Sequence, residues 1–78
     1  GMNVLNLRRI RKARGLSLTQ VTVKTGIDPA SLSRIERGII PCGPGWRHRI
    51  AEAFELPEEE LFMEVEDADD RPATFYRP

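Results

Sequence analysis

The chain has 78 residues, a length that suits one small domain. Twelve lysine and arginine residues balance twelve aspartate and glutamate residues, so the formal net charge is zero. A neutral total argues against a nucleic-acid partner, because such proteins usually carry net positive charge. The two halves differ, however: residues 1–50 hold ten basic and two acidic side chains, and residues 51–78 hold two basic and ten acidic ones. This asymmetry indicates a nucleic-acid surface followed by an acidic extension.

Composition excludes several other classes of protein. No apolar run approaches the roughly 18 residues that span a membrane, and no signal-peptide pattern is visible. The single cysteine, Cys42, cannot form an internal disulfide, nor a structural zinc site by itself. With one histidine and no carboxylate pair beside a nucleophile, the sequence does not assemble a catalytic site. We therefore expect a cytoplasmic protein that is not an enzyme and that uses no metal or cofactor.

The first predicted helix runs from an N-cap at Asn3 to about Arg14, and Gly15 follows it as a stop signal. Apolar residues recur at a spacing of three along it: Val4, Leu7 and Ile10. The second predicted helix covers about residues 18–25. Ser17 stands three residues before Gln20, which is the spacing of a capping box.

The third predicted helix covers about residues 29–37. Asp28 supplies its N-cap, and Pro29 occupies the first helical position, where a missing N–H is harmless. A fourth helix is predicted from about Pro44 to Glu55, with an apolar face at Trp46, Ile50, Ala51 and Phe54. A short fifth helix follows near Pro57. No segment alternates with the period of a strand, and no pattern is recognisable from Met63 onward. We therefore expect an all-α domain over residues 3–62 and an acidic C-terminal tail over residues 63–78.

Several separated segments resemble one family. The stretches at 7–18, 25–28, 32–38, 50–54 and 60–62 are similar, in order and spacing, to the lambda-repressor-like, XRE-type helix-turn-helix domain. The resemblance covers residues 5–62. It implies a five-helix bundle and a sequence-specific regulator of transcription, a repressor, that binds double-stranded DNA as a homodimer. The helix from about Pro29 to Arg37 would read the major groove.

The resemblance also assigns roles to individual residues. It places Thr19 and Gln20 near the DNA backbone and places Ser33 and Arg37 near phosphates. The groove face of the third helix would carry Pro29, Ala30, Ser31 and Arg34. Arg34 is the side chain best suited to guanine, which it can contact through paired donors to O6 and N7. The family commonly has a largely buried ion pair that corresponds here to Arg11 and Glu36, and such a pair holds two helices together.

Some features leave two interpretations open. The side chains of Pro29, Ala30 and Ser31 are short, which favours recognition of DNA shape and phosphates over direct base contacts. The basic residues of the first helix could form a solvated face or contact phosphates: Arg8, Arg9, Lys12 and Arg14. Trp46 is expected in the core rather than stacked on a base. His48 is expected at the surface, and Cys42 as a small loop side chain rather than a redox-sensing thiol with a lowered pKa.

The acidic end of the chain has an alternative interpretation of its own. Residues 58–70 hold eight acids and no base, which fits a solvated extension, a surface for a basic protein partner, or a segment that competes with DNA for the basic face. The second possibility would make the protein an antitoxin or an interaction module on the same fold. Two adjacent aromatic residues, Phe75 and Tyr76, suggest docking on the domain or on a second subunit. Apolar residues expected to be exposed, and so available to a homodimer, are Ile39, Ile40, Leu61, Met63, Phe75 and Tyr76.

Overall fold

The computed structural model describes residues 3–67. These residues form five helices and a pair of short strands. In chain order the elements are β1 (Asn3–Leu5), α1 (Asn6–Ala13), α2 (Leu18–Thr25), α3 (Pro29–Glu36), α4 (Pro44–Phe54), α5 (Glu58–Leu61) and β2 (Glu64–Glu66). The five predicted helices are therefore present in the predicted order. In the described part of the chain no helix is both long and apolar enough to cross a membrane.

The strand pair corrects the expectation that the chain contains no strand. β1 and β2 run antiparallel, with Asn3 opposite Glu66 and Leu5 opposite Glu64. Asn3 therefore lies in a strand and does not cap α1, which begins at Asn6. The Asn6 N–H donates to the Met63 carbonyl over 2.8 Å, and its side-chain amide donates to the Glu60 carbonyl over 2.9 Å. These bonds attach the start of α1 to the end of α5, so the first residues after α5 belong to the packed domain.

The helix caps that the sequence predicts are present at α2 and α3. Ser17 and Gln20 form both bonds of the predicted capping box. Asp28 caps α3 by accepting a hydrogen bond from the Ser31 N–H, and Pro29 is the first residue of that helix.

One apolar core is shared by all five helices. Its fully buried members are Leu7, Val21, Ile27, Leu32, Ile50, Phe54 and Leu61. Trp46 is half-buried and packs against this cluster, as its position on α4 predicts. Leu61 was expected to be exposed, and that expectation is wrong: it is the one buried side chain of α5 and attaches that four-residue helix to the bundle. Ile40 is half-buried and not exposed as expected, whereas Ile39 and Met63 are exposed, as is Val23 on α2.

Candidate nucleic-acid interface

The turn between α2 and α3 is held rigidly from both sides. Gly26 ends α2 with a positive φ of 76°, a conformation that favours glycine, and its N–H donates to the Thr22 carbonyl over 2.7 Å. Ile27, the next residue, is buried in the core. Its N–H donates to Oγ1 of Thr25 over 3.2 Å, and that hydroxyl donates to the Val21 carbonyl over 2.8 Å. The two helices are therefore fixed in orientation by an apolar anchor and a short hydrogen-bonded chain.

The start of α2 offers two exposed polar side chains, Thr19 and Gln20. The Gln20 side-chain oxygen accepts the Ser17 N–H over 2.7 Å, which leaves the amide NH₂ group of Gln20 as its donor toward any anion. The N–H groups of this first turn also carry the positive end of the helix dipole, which favours phosphate oxygens. This geometry suits the role near a DNA backbone that the sequence analysis predicts for both residues.

The start of α3 is arranged in the same way. Pro29 and Ala30 are exposed, whereas Ser31 is half-buried. The nearby hydroxyl of Ser31 and its backbone N–H, which donates to Oδ2 over 2.9 Å, hold the pKa of Asp28 below its usual value, so Asp28 caps the helix as a carboxylate. The Ser31 N–H is thereby engaged in the cap, and in the first turn Pro29 and Ala30 present their side chains fully to solvent.

The outer face of α3 is formed by residues that follow Ala30 at helical spacing. Arg34 stands one turn after Ala30 and Arg37 three residues later, and all three are exposed. The opposite face of the helix is buried: Leu32, Ile35 and Glu36. Ser33 lies between these faces and is half-buried. One face of α3 thus packs against the core, and the other presents Arg34 outward beside small side chains, with Arg37 following at the C-cap.

The buried charge on α3 is held by α1. Arg11 Nε donates to Oε2 of Glu36 over 2.7 Å, and Arg11 Nη2 donates to Oε1 over 3.0 Å. Arg11 Nη1 also donates to the Leu16 carbonyl over 2.9 Å. The side chains of Arg11 and Glu36 are 8% and 1% exposed, respectively. This two-point pair between a guanidinium and a carboxylate, which the family resemblance implies, joins α1, the turn before α2, and the end of α3.

The ten basic residues of the first fifty differ in burial. Three are buried or half-buried beside acidic partners: Arg8 with Glu36 and Asp67, Arg11 with Glu36, and Arg47 with Glu58. The other seven are exposed: Arg9, Lys12, Arg14, Lys24, Arg34, Arg37 and Arg49. Arg8 therefore neither forms part of a solvated face nor is available to phosphates, because its side chain is only 12% exposed. Its acidic partners lie far away in sequence, and nothing local to α1 indicates them.

Arg49 is a candidate interface residue that the sequence analysis missed. Its Nη1 lies 3.7 Å from the point where a Cβ on Gly26 would stand, which places an exposed guanidinium of α4 beside the turn between α2 and α3. Arg14 stacks its guanidinium 5.2 Å from the centroid of the Phe54 ring and remains exposed to solvent at the end of α1. The position of Arg49 depends on the packing of α4 against α2, so it cannot be inferred from the local sequence.

Two further residues have local roles. His48 is exposed and lies 3.3 Å from Glu52, one turn away on α4, which agrees with its predicted surface position. Cys42 is half-buried in the loop after α3. Burial raises the pKa of its thiol, and the nearby positive charge of Arg47 offsets only part of that effect. Because burial is the larger cause, the thiol does not have the lowered pKa of a redox sensor, in agreement with the expected small loop side chain.

Two short helices joined by a three-residue turn, with the second helix presenting one basic face, define a helix-turn-helix domain. The comparisons agree: a family model described as a helix-turn-helix domain matches residues 5–61, and the chain belongs to this family, of the lambda-repressor-like type. The chain is similar to the restriction-modification controller protein C.AhdI from Aeromonas hydrophila. The sequence identity is 30%, the TM-score is 0.68, and the match covers 73% of this chain and 86% of that one. No curated protein matched the sequence.

Proposed function

We propose that the protein is a sequence-specific regulator of transcription, a repressor, that reads the major groove of double-stranded DNA with α3. The observation that carries the proposal is the outward face of Ala30, Arg34 and Arg37 on a helix whose other face is buried. Thr19 and Gln20 at the start of α2, with Ser33 and Arg37, would contact phosphates. The similarity to a controller protein supports a regulatory role, and the proposed place of action is the cytoplasm.

The proposed readout relies on few direct base contacts. Pro29 and Ala30 can touch thymine methyl groups, and Ser31 is half-buried, so Arg34 carries most of the hydrogen-bonding capacity toward bases. Phosphate contacts and DNA shape would supply the rest of the affinity. Selecting bound sequences from a random pool of duplexes at two salt concentrations tests the function. An enriched site supports it, and a pool without enrichment at the lower salt concentration contradicts it.

The role of Arg34 is tested by replacing it with alanine. We expect the preference for the selected site over unrelated DNA to fall by about 1–3 kcal/mol, because a paired guanine contact is lost. Binding is measured by fluorescence anisotropy on both duplexes. Arg34→Lys is the matched control: it keeps the charge and loses the planar fork of donors, so it should lose the preference while keeping most of the non-specific affinity. An equal loss on both duplexes would assign Arg34 to a phosphate instead.

We further propose that the regulator acts as a homodimer, since two copies related by a two-fold axis double the length of DNA that is read. Support comes from Ile39 and Met63, which are 65% and 51% exposed. Ile39 borders an apolar cleft of about 490 Å³, whose wall also includes Ile35, Ile40 and Phe62. The wall of the cleft thus combines the end of α3, the following loop and the residue after α5, and we call the apolar part of this wall, Ile35, Ile39, Ile40 and Phe62, the cleft surface.

A charge in the cleft surface should prevent association. We expect Ile39→Glu to raise the dissociation constant of the dimer at least about tenfold, because an unpaired carboxylate would have to leave water. Sedimentation equilibrium measures it directly. Val23→Glu serves as the control, because Val23 is 81% exposed on α2 and does not line the cleft. A dimer that persists unchanged in Ile39→Glu, or a wild-type protein that stays monomeric on its DNA site, would contradict the proposed use of this surface.

A further inference from the structure

Charged side chains connect the C-terminal strand with the end of α3. The Arg8 guanidinium in α1 lies between two carboxylates. Its Nε is 3.3 Å from Oδ2 of Asp67, and its Nη1 is 3.7 Å from Oε1 of Glu36. Glu36 is the last residue of α3, and Asp67 directly follows β2. The pairing of Asn3 with Glu66 in the strand pair brings Asp67 to this place. The connection therefore runs from the segment after α5 to the helix that we assign to the major groove.

Burial makes the charge balance of this group important. The side chains of Arg8, Asp67 and Glu36 are 12%, 11% and 1% exposed, and Glu36 is also bonded to the buried Arg11. Without Asp67 the group would hold two guanidinium charges and one carboxylate, which is an uncompensated positive charge with little access to water. Asp67 makes the group neutral. It faces the buried Arg8 Nε, which makes no hydrogen bond within the described residues.

We propose that Asp67 is a positioning residue for α3, acting through Arg8 on Glu36 without touching DNA. The proposal rests on the DNA-binding function proposed above. With Asp67 present, Arg8 stays beside Glu36 at small electrostatic cost. Without it, Arg8 and Arg11 repel each other around a single carboxylate, and the end of α3 loses a contact to α1. Because a groove-reading side chain must be placed to within about 0.5 Å, a small change in the angle of α3 weakens the contact made by Arg34.

The test compares two variants with the same change in net charge. Asp67→Asn and Glu64→Gln each remove one negative charge near β2, but Glu64 is exposed and makes no ion pair within the described residues. Reduced repulsion of DNA alone would leave both variants with equal or tighter binding. We expect Asp67→Asn instead to bind the selected site about threefold to tenfold more weakly than wild type. Glu64→Gln should match or exceed wild type, and Asp67→Glu should recover most of the loss.

A double variant shows whether Asp67 acts through Arg8. If it does, Asp67→Asn has little further effect in an Arg8→Gln background, and the two losses do not add. Binding is measured by anisotropy at a temperature at which every variant is fully folded by circular dichroism. Asp67→Asn binding as well as Glu64→Gln would overturn the proposal, and so would strictly additive losses in the double variant.

Amide hydrogen exchange separates this proposal from the proposed function. We expect Asp67→Asn to speed exchange at Leu32 and Ile35 in α3 more than at Ile50 in α4, and we expect Glu64→Gln to change neither helix. If wild type binds no DNA, the proposed function fails, and the exchange of α3 alone then decides whether Asp67 restrains this helix. If wild type binds DNA while exchange in α3 and α4 rises equally, Asp67 stabilises the whole domain and the positioning role is wrong.

Discussion

Replacing Glu36 by glutamine is expected to lower the free energy of unfolding by about 3–5 kcal/mol. Glu36 is 1% exposed and accepts two hydrogen bonds from Arg11, with Arg8 also within 3.7 Å. Removing its charge leaves two guanidinium groups without their shared partner in a poorly solvated place, and that penalty is larger than the net value of the pair itself. Urea unfolding followed by circular dichroism measures the effect. The loss is a large part of the 5–15 kcal/mol typical of a small domain.

The matched control is Glu59→Gln, which changes an exposed glutamate on α5 and should stay within about 0.5 kcal/mol of wild type. If Glu36→Gln is already unfolded without urea, a stabilising osmolyte such as trimethylamine oxide should refold it and restore a measurable transition. A loss below about 1 kcal/mol would contradict a structural role for the pair, because a net hydrogen bond alone accounts for that much.

The sequence predicts those parts of the fold that neighbouring residues determine. The capping box at Ser17 and the Asp28–Pro29 start of α3 are local hydrogen-bonding arrangements, so the residues that form them lie within a few positions of each other. The outward face of α3 follows from helical spacing in the same way. Once its start and its buried face are known, Arg34 and Arg37 can only point away from the core.

The strand pair could not be predicted, since its partners are about sixty residues apart. Each strand has three residues, too few for a period of two to stand out, and Asn3 resembles a helix cap just as well. The same distance hides the partners of the basic residues. Arg8 stands in a run of basic residues that suggests a phosphate-binding face, yet its partners are supplied by the ends of α3 and β2.

This long-range pairing also changes the meaning of the neutral net charge. Part of the acidic half neutralises part of the basic half inside the domain: Asp67 lies against Arg8, and Glu58 against Arg47. The basic residues that remain exposed include Arg34, Arg37 and Arg49 near the helix-turn-helix. The roles predicted for Phe75 and Tyr76, and for most of the acidic tail, concern residues outside the described part of the chain and stay predictions.

Replacing Phe54 by alanine is the second change expected to have a large effect, a loss of about 3–5 kcal/mol in the free energy of unfolding. Phe54 is 1% exposed and belongs to the cluster that also contains Leu7 of α1, Leu32 of α3 and Leu61 of α5. Truncation removes apolar contacts to several helices at once and leaves a cavity that a domain of this size can fill only by shifting a helix. Thermal and urea unfolding both measure the loss.

Two further variants separate the causes of that loss. Phe54→Leu keeps most of the volume and should cost about 1–2 kcal/mol, since a smaller cavity remains. Arg14→Gln removes the guanidinium that lies 5.2 Å from the ring centroid while keeping the ring, and should cost about 0.5–1 kcal/mol. If Arg14→Gln were as destabilising as Phe54→Ala, the cation–π contact rather than burial would be the main contribution of Phe54. We expect the opposite order, because the ring is enclosed by the core and the guanidinium remains in water.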